Sequence, residues 1–282
     1  MKRLLLCTDL DRTLLPNGGH AESPAARRLF GRLARRDDVA LVYATGRDLG
    51  LTLQAMHEFD LPCPEAIVSD VGTTISLPQG GAWQPWHEWE RHISPGWRHL
   101  PAAEVYSLVR GLPGIVPQED EKQGRHKLSF YVDAARGRDR LEDELSQRLH
   151  GLGLSCRLVW SFDEMAGRGL LDIIPAGAGK LPALHFVIDG LGYGRDEAFF
   201  AGDSGNDREV LCSDIAAVLV ANAHHTLRRE LATALPPALH LARGGYLGMN
   251  GNYSAGILEG VAHFRPHLDH WLRQLADNLE GA

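Results

Sequence analysis

No stretch of this 282-residue sequence approaches the roughly 18 to 20 consecutive apolar residues that a bilayer-spanning helix needs. The apolar opening Leu4-Leu5-Leu6, after Met1-Lys2-Arg3, meets Asp9 too early to be the apolar region of a secretory signal. Cysteine is scarce. Cys7, Cys63, Cys156 and Cys212 are scattered without a CxxC pair, which argues against a disulfide framework or a thiolate zinc site and fits a reducing, cytoplasmic setting. Positive charge is not in excess either: 29 basic against 36 acidic residues leave a net charge of −7, so no general field draws nucleic acid or an anionic membrane. Any phosphate must be held locally. No low-complexity tract occurs, and 44% hydrophobic with 23% charged residues is ordinary for a folded chain. The length suits one large core with an inserted module, or two domains. No extended apolar stripe is left over for an interface, so a monomer is expected.

What the sequence does have is Cys7-Thr8-Asp9-Leu10-Asp11-Arg12-Thr13-Leu14 directly after the apolar opening. A short buried strand that breaks into two carboxylates one residue apart sets both at the carboxyl edge of a sheet, where open α/β folds bind ligands. Two acids so close repel each other in a dry site, so they call for a cation or a shared proton. Magnesium, which takes carboxylate and backbone oxygens and shares itself with phosphate, meets that need. The competing reading is an acidic surface turn.

Ser23-Pro24 reads as a helix cap and first helical residue, with the helix running through Ala26, Leu29, Phe30 and Leu33. Its arginines, Arg27, Arg28, Arg32, Arg35 and Arg36, form a solvated face. Val39 to Ala44 is a second buried strand that stops at Thr45-Gly46-Arg47, a strand-to-helix junction suited to an oxyanion or simply a turn. Ala66 to Asp70 is a third, followed by Val71-Gly72-Thr73-Thr74. Strands alternating with helices predict an α/β fold, a doubly wound parallel sheet of the Rossmann-like kind.

Composition changes between about Gly80 and Asp172, where Trp83, Trp86, Trp89 and Trp97 crowd a polar stretch. A helix from about Ala102 to Gly111, a strand Lys127 to Val132, a helix Arg140 to Leu149 and strands Ser155 to Trp160 and Leu170 to Ile174 follow. These predict a smaller inserted α+β cap whose sheet has one wet face. The expected division is a core of residues 1–82 and 173–282 and a cap of residues 83–172. Gly177-Ala178-Gly179-Lys180 opens a helix, but without GxxxxGK[ST] it is not a nucleotide-triphosphate loop, and Lys180 stands as a point charge for phosphate. Ala198 to Ala201 is a core strand ending in Gly202-Asp203-Ser204-Gly205-Asn206-Asp207, which mirrors the opening acids and lacks the glutamate of an EF-hand loop. Another strand, Ala216 to Val220, and a terminal helix from Gly256 to Leu275 complete the pattern.

DLDRT, ATGR, the lone Lys180 and GDSGND, in that order and each at a strand end or helix start, make the sequence similar to the haloacid dehalogenase superfamily of aspartate-dependent phosphatases. SDVGT, KLSFY, DIIPAGAGK, GDSGND, VANA and GILEGVAHF resemble more narrowly the sucrose-phosphate phosphatase branch, whose cap, of type IIB, is inserted after the third strand. The segment Ala242 to Tyr253 departs from that pattern. The resemblance implies Asp9 as nucleophile and Asp11 as the acid and then the base. It implies Thr45 and Lys180 as ligands of the phosphoryl oxygens, beside Gly46 and Arg47. It further implies a magnesium ion held by Asp9, the Asp11 backbone carbonyl, Asp203 and Asp207, with Ser204 and Asn206 behind them and Asn206 also near substrate. Asp70, Thr73 and Lys127, with the tryptophans, are candidates for contact with a sugar ring; the tryptophans as plain packing is the competing reading. The implied activity is hydrolysis of sucrose 6-phosphate, with mannosylfructose phosphate or another sugar phosphate as rival substrates. A phosphomutase and a non-catalytic sugar-phosphate-binding subunit are weaker readings, and association with a sugar-phosphate synthase has no support in the residues.

Overall fold

Leu4 to Thr8 is buried at every position, and a strand without a polar face must lie inside a sheet covered on both sides. In the computed structural model, which describes residues 3–112, 114–132, 138–163 and 167–280, that is where it lies. The strands, in chain order, are β1 (Leu4–Thr8), β2 (Val39–Ala44), β3 (Ala66–Ser69), β4 (Thr74–Gln79), β5 (Ala82–Pro85), β6 (Ile115–Pro117), β7 (Leu128–Val132), β8 (Cys156–Asp163), β9 (Arg168–Pro175), β10 (Ala198–Gly202), β11 (Ala216–Leu219) and β12 (Leu239–Leu241). The helices are α1 (Ala26–Ala34), α2 (Leu49–Glu58), α3 (His87–Ile93), α4 (Ala102–Val109), α5 (Arg138–Gly151), α6 (Lys180–Gly190), α7 (Arg208–Leu211), α8 (His225–Thr233), α9 (Ser254–Phe264) and α10 (Pro266–Glu280). Among the described residues no helix is long and apolar enough to cross a membrane.

The core sheet runs β12-β11-β10-β1-β2-β3-β4-β5, parallel from β12 to β3 and antiparallel beyond. Alternate side chains of β1 feed two apolar layers. Leu4 and Leu6 join α1, α9 and α10 through Phe30, Leu258 and Leu272, whereas Leu5 and Cys7 join α6, α7 and α8 through Val187, Leu211 and Leu231. The carboxyl ends of β1, β2, β3 and β10 therefore emerge side by side, carrying Asp9, Thr45, Asp70 and Asp203.

The second sheet, β6-β7-β9-β8, is wholly antiparallel. Leu128 and Phe130 of β7 and Leu171 and Ile173 of β9 bury against Val105 and Val109 of α4 and Leu141, Leu145 and Leu149 of α5. The period of two turns Ser129, Tyr131 and Asp172 the other way, toward the Asp9 end of the core.

Several expectations meet a different outcome. The expected division at 82/83 falls inside β5 and that at 172/173 inside β9. β4 and β5 form a hairpin on the edge of the core sheet, and β9 pairs with β8 as far as Pro175, so pairing carries each strand across the line that composition suggested. The terminal helix is two helices, because Pro266 lacks an N–H to continue the ladder and pushes Arg265 out of helical dihedrals, to φ −131 and ψ 77. α1 begins at Ala26 rather than Pro24, and its capping residue Ala25 makes no side-chain cap. The arginine face of α1 is solvated as expected, with Arg27 paired to Glu22 and Arg36 to Asp38.

Candidate active site

Three buried carboxylates, Asp9 after β1 and Asp203 and Asp207 after β10, bring ligand oxygens within 4.8 Å of one another. Lys180 begins α6 and is sealed beside them. Its Nζ donates to Asp9 Oδ1 at 2.8 Å and to Asp207 Oδ1 at 2.6 Å. The Thr13 hydroxyl spans Asp9 Oδ2 at 3.3 Å and Asp203 Oδ1 at 3.2 Å, and Arg12 Nε lies 3.6 Å from Asp203 Oδ2. Asp207 Oδ2 accepts the backbone N–H groups of Asp203 at 3.0 Å and Ser204 at 3.1 Å, which locks the turn that carries it.

Burial pushes Asp9 up to about 7, Lys180 opposing and Asp207 adding to the rise. Burial, with Asp9 and Asp207, pushes Asp203 well above the carboxylate range. Both shifts have one physical reading: more negative charge is sealed here than the protein's own cations offset. Three oxygen donors of this charge fit a hard divalent cation, and the residues thus fit the magnesium ion expected from the sequence.

Asp11 stands apart from this triad. Arg47 grips it with two hydrogen bonds, Nε to Oδ2 at 2.8 Å and Nη2 to Oδ1 at 2.6 Å, and Asn17 donates to Oδ1 at 2.5 Å. Burial alone would raise its pKa, but the Arg47 hydrogen bonds and charge outweigh it and hold Asp11 below the ordinary carboxylate value. The Asp11 carboxylate is therefore not part of the cluster of Asp9, Asp203 and Asp207.

A cavity of about 450 Å³ opens over Asp9 and Asp11. Gly46, Arg47, Lys127, Asp203, Ser204 and Asn206 line it, and the wet face of the second sheet closes it with Gln118, Lys122, Ser129, Tyr131 and Asp172. A larger space of about 790 Å³, between β8 and the α7–α8 side, shares Arg12, Asp203, Ser204 and Asn206 with it and includes Lys180. The acidic cluster and Lys180 thus face two adjoining clefts.

Other expected contacts lie off the cavity wall. Thr45 is fully buried, its hydroxyl accepting the Arg47 N–H at 3.2 Å. Thr73 donates to the Asp70 carbonyl at 3.0 Å and so belongs to its own turn. Asp70 is taken up by Lys127, Nζ to Oδ1 at 2.8 Å. The tryptophans are packing residues here: Trp86 and Trp89 meet Phe186 of α6 at ring separations of 5.0 and 5.2 Å, and Trp97 is sealed in the second core. Sequence reasoning gave no role to Thr13, Asn17, Gln118, Lys122, Ser129, Tyr131 or Asp172. Asp172 had a signal, being a lone acid inside the apolar strand Leu170 to Ile174. Asn222, in the VANA segment, also does more than end a strand. It donates to the Arg12 carbonyl at 2.6 Å and accepts the Tyr253 N–H at 2.8 Å, fixing the Asp9–Arg12 loop from across the sheet.

Residues 2–265 match the sequence profile of sucrose-6F-phosphate phosphohydrolase. The chain belongs to this family. Membership makes it a phosphatase of haloacid dehalogenase fold, with the inserted cap sheet seen here. A Nitrosococcus oceani relative named only as a HAD-like hydrolase is 45% identical over 96% of this chain and 74% of its own length. Sucrose-phosphatase 1 of Nicotiana tabacum is 30% identical over 93% of this chain, but the match spans only 59% of the tobacco protein. Among solved structures, the sucrose-phosphatase of Synechocystis sp. PCC6803 in complex with sucrose and phosphate superposes with a TM-score of 0.77, at 24% identity, over 94% of this chain and 98% of that one. That likeness is one of fold.

Proposed function

We propose that this family member hydrolyses a phosphorylated sugar, sucrose 6-phosphate first among the candidates, with magnesium bound at Asp9, Asp203 and Asp207 and the Asp11 carbonyl. The observation that carries the reading is Lys180: a sealed ammonium bridging Asp9 and Asp207, and through Asp9 set behind a cavity whose opposite wall is hydroxyl-, amide- and carboxylate-bearing. Such a wall suits a polyol, which presents many donors and acceptors at once.

A phosphate monoester dianion repels an attacking carboxylate, and its uncatalysed hydrolysis is among the slowest known reactions. A cation held by Asp9, Asp203 and Asp207 would supply neutralisation of that negative charge. The chain's own residues do the rest. Asp9 attacks phosphorus and the bond from phosphorus to the sugar oxygen breaks, leaving an aspartyl-phosphate. Asp11 gives the departing oxygen its proton. Water then attacks the same phosphorus, Asp11 takes the water's proton, and phosphate leaves with Asp9 restored. Lys180, with Gly46 and Asn206, offsets charge on the phosphoryl oxygens, while Thr45, buried beneath, holds the Arg47 backbone. Arg47 holds Asp11 ionised in the present arrangement, so the acid step needs Arg47 drawn off; a phosphorylated sugar entering beside it is a competing partner.

A phosphate-release screen over phosphorylated mono- and disaccharides, with and without magnesium, tests the reading. The expected result is release from sucrose 6-phosphate that needs the ion. Preference for mannosylfructose phosphate would move the substrate while leaving the chemistry, and no release from any ester would overturn both.

A further inference from the structure

We propose that Lys127 is a positioning residue: it ties the seating of the cap sheet to the loop that receives the phosphoryl group. The proposal rests on the phosphatase reading above and goes beyond it.

Lys127 precedes β7, at the start of a strand whose outward face looks into the cleft, and its side chain is only 6% exposed. Its ammonium leaves the cap altogether. It pairs with Asp70 Oδ1 at 2.8 Å and donates to the Gly46 carbonyl at 3.3 Å, and both partners belong to the core. The segments that carry those two partners are themselves joined: the Asp70 N–H donates to the Arg47 carbonyl at 2.8 Å, and the Val71 N–H to the Thr45 carbonyl at 3.1 Å. One cation therefore closes a ring made of the cap strand, the Thr45–Arg47 loop and the Asp70–Gly72 turn.

The turn that Lys127 grips does not hold itself. Asp70 and Val71 have φ of 51° and 57°, a left-handed conformation that disfavours a β-branched valine most of all, and such geometry persists only when the surroundings impose it. The same turn touches the base of the phosphate cluster, because a Cβ on Gly72 would lie 2.3 Å from the Gly179 carbonyl and 2.6 Å from the Lys180 nitrogen. Anything that relaxes the turn is transmitted to the Gly46 peptide on one side and to the start of α6 on the other. When the cap lifts, Lys127 goes with it. Asp70 is then left without its cation, and the phosphate loop loses its restraint. The site is assembled only under a seated cap, which is when water is excluded.

A lysine that merely touched the sugar would be read differently, and the two roles separate by experiment. With the full chain and magnesium, Lys127→Met, Asp70→Asn and the double variant are compared with the parent. Three quantities are measured: the dissociation constant of inorganic phosphate by calorimetry, and kcat and KM for sucrose 6-phosphate and for phenyl phosphate, which has no sugar to meet the cap. Lys127→Met is expected to weaken phosphate about tenfold and to raise KM for both esters alike; Asp70→Asn shifts both in the same direction, and the double variant is no worse than Lys127→Met. Phosphate affinity and phenyl phosphate kinetics unchanged, with a loss confined to sucrose 6-phosphate, would overturn the proposal, as would additive effects in the double variant. If Lys127→Met does not fold, the double variant carries the test, since it buries no unpaired carboxylate, and parent-like phosphate affinity there sinks the idea. A parent chain that neither binds phosphate nor hydrolyses either ester would instead overturn the phosphatase reading itself.

Discussion

The core sheet and the cap sheet solve the same packing problem in opposite ways. β1, β2, β3 and β10 are buried on both faces, so they offer nothing but their ends, and the acidic cluster with Lys180 gathers there. β7 and β9 are buried on one face against α4 and α5, so they offer a whole surface, and that surface becomes the wall of the cleft. On the proposed function the difference becomes a division of labour: the strand ends run the reaction, while the strand faces select what is admitted to it.

Substitutions at the two regions should therefore fail in different ways. The largest effect is at the strand ends: Asp9→Asn or Lys180→Met should lower kcat on the order of 10⁴-fold on every phosphate ester, sugar-bearing or not. A phosphate-release assay on sucrose 6-phosphate and phenyl phosphate checks this; survival of either activity would break the assignment of chemistry to the core.

Metal removal should act on the same side of the comparison. Chelation abolishes turnover on both esters, and magnesium restores it. The pH dependence has a definite sign. Asp9, raised by burial to about 7, and Asp203, raised in the same direction, bind more protons folded than unfolded above the ordinary carboxylate range near 4. The metal-free protein should thus lose stability as pH rises from about 4 to about 7, whereas metal affinity should rise as the same protons leave. Denaturant midpoints and magnesium titrations at three pH values read both trends, and opposite slopes would show that the carboxylates are offset without an ion.

A cap-face substitution should be selective. Asp172 is half-buried, with the Ser129 hydroxyl donating to it at 2.5 Å, and lies on the cleft wall. Asp172→Asn should raise KM for the sugar phosphate roughly tenfold, about 1.4 kcal/mol, and leave phenyl phosphate unchanged. Equal effects on both esters would erase the division of labour between the sheets.

The smallest effect probes where the two regions touch. A Cβ on Gly205 would lie 2.8 Å from the Trp160 carbonyl, a backbone atom of β8 that cannot rotate away. Gly205→Ala should destabilise the protein by about 1–3 kcal/mol, as overpacking does, and raise KM for both esters a few-fold by unseating the cap. Thermal unfolding and steady-state kinetics measure it.

By itself the sequence determined the chemistry-bearing ends and the two sheet types. Apolar runs that stop abruptly at DLD, TGR, SDVG and GDSGND read as buried strands releasing polar residues at one edge, and the alternation in KLSFYV as a strand with one dry and one wet face. Tertiary structure alone decided which charge meets which. Lys180 reaches Asp9 across 171 positions, and Lys127 reaches the Gly46 carbonyl across 81, contacts that depend on sheet order and on the angle at which the cap rests. It also decided where the strands cross between regions, at β5 and β9. The physical reason is range: periodicity and local dihedral preference act over a few residues, whereas ion pairs and hydrogen bonds in a low-dielectric site depend on atoms a few ångströms apart that the chain brings together only once folded.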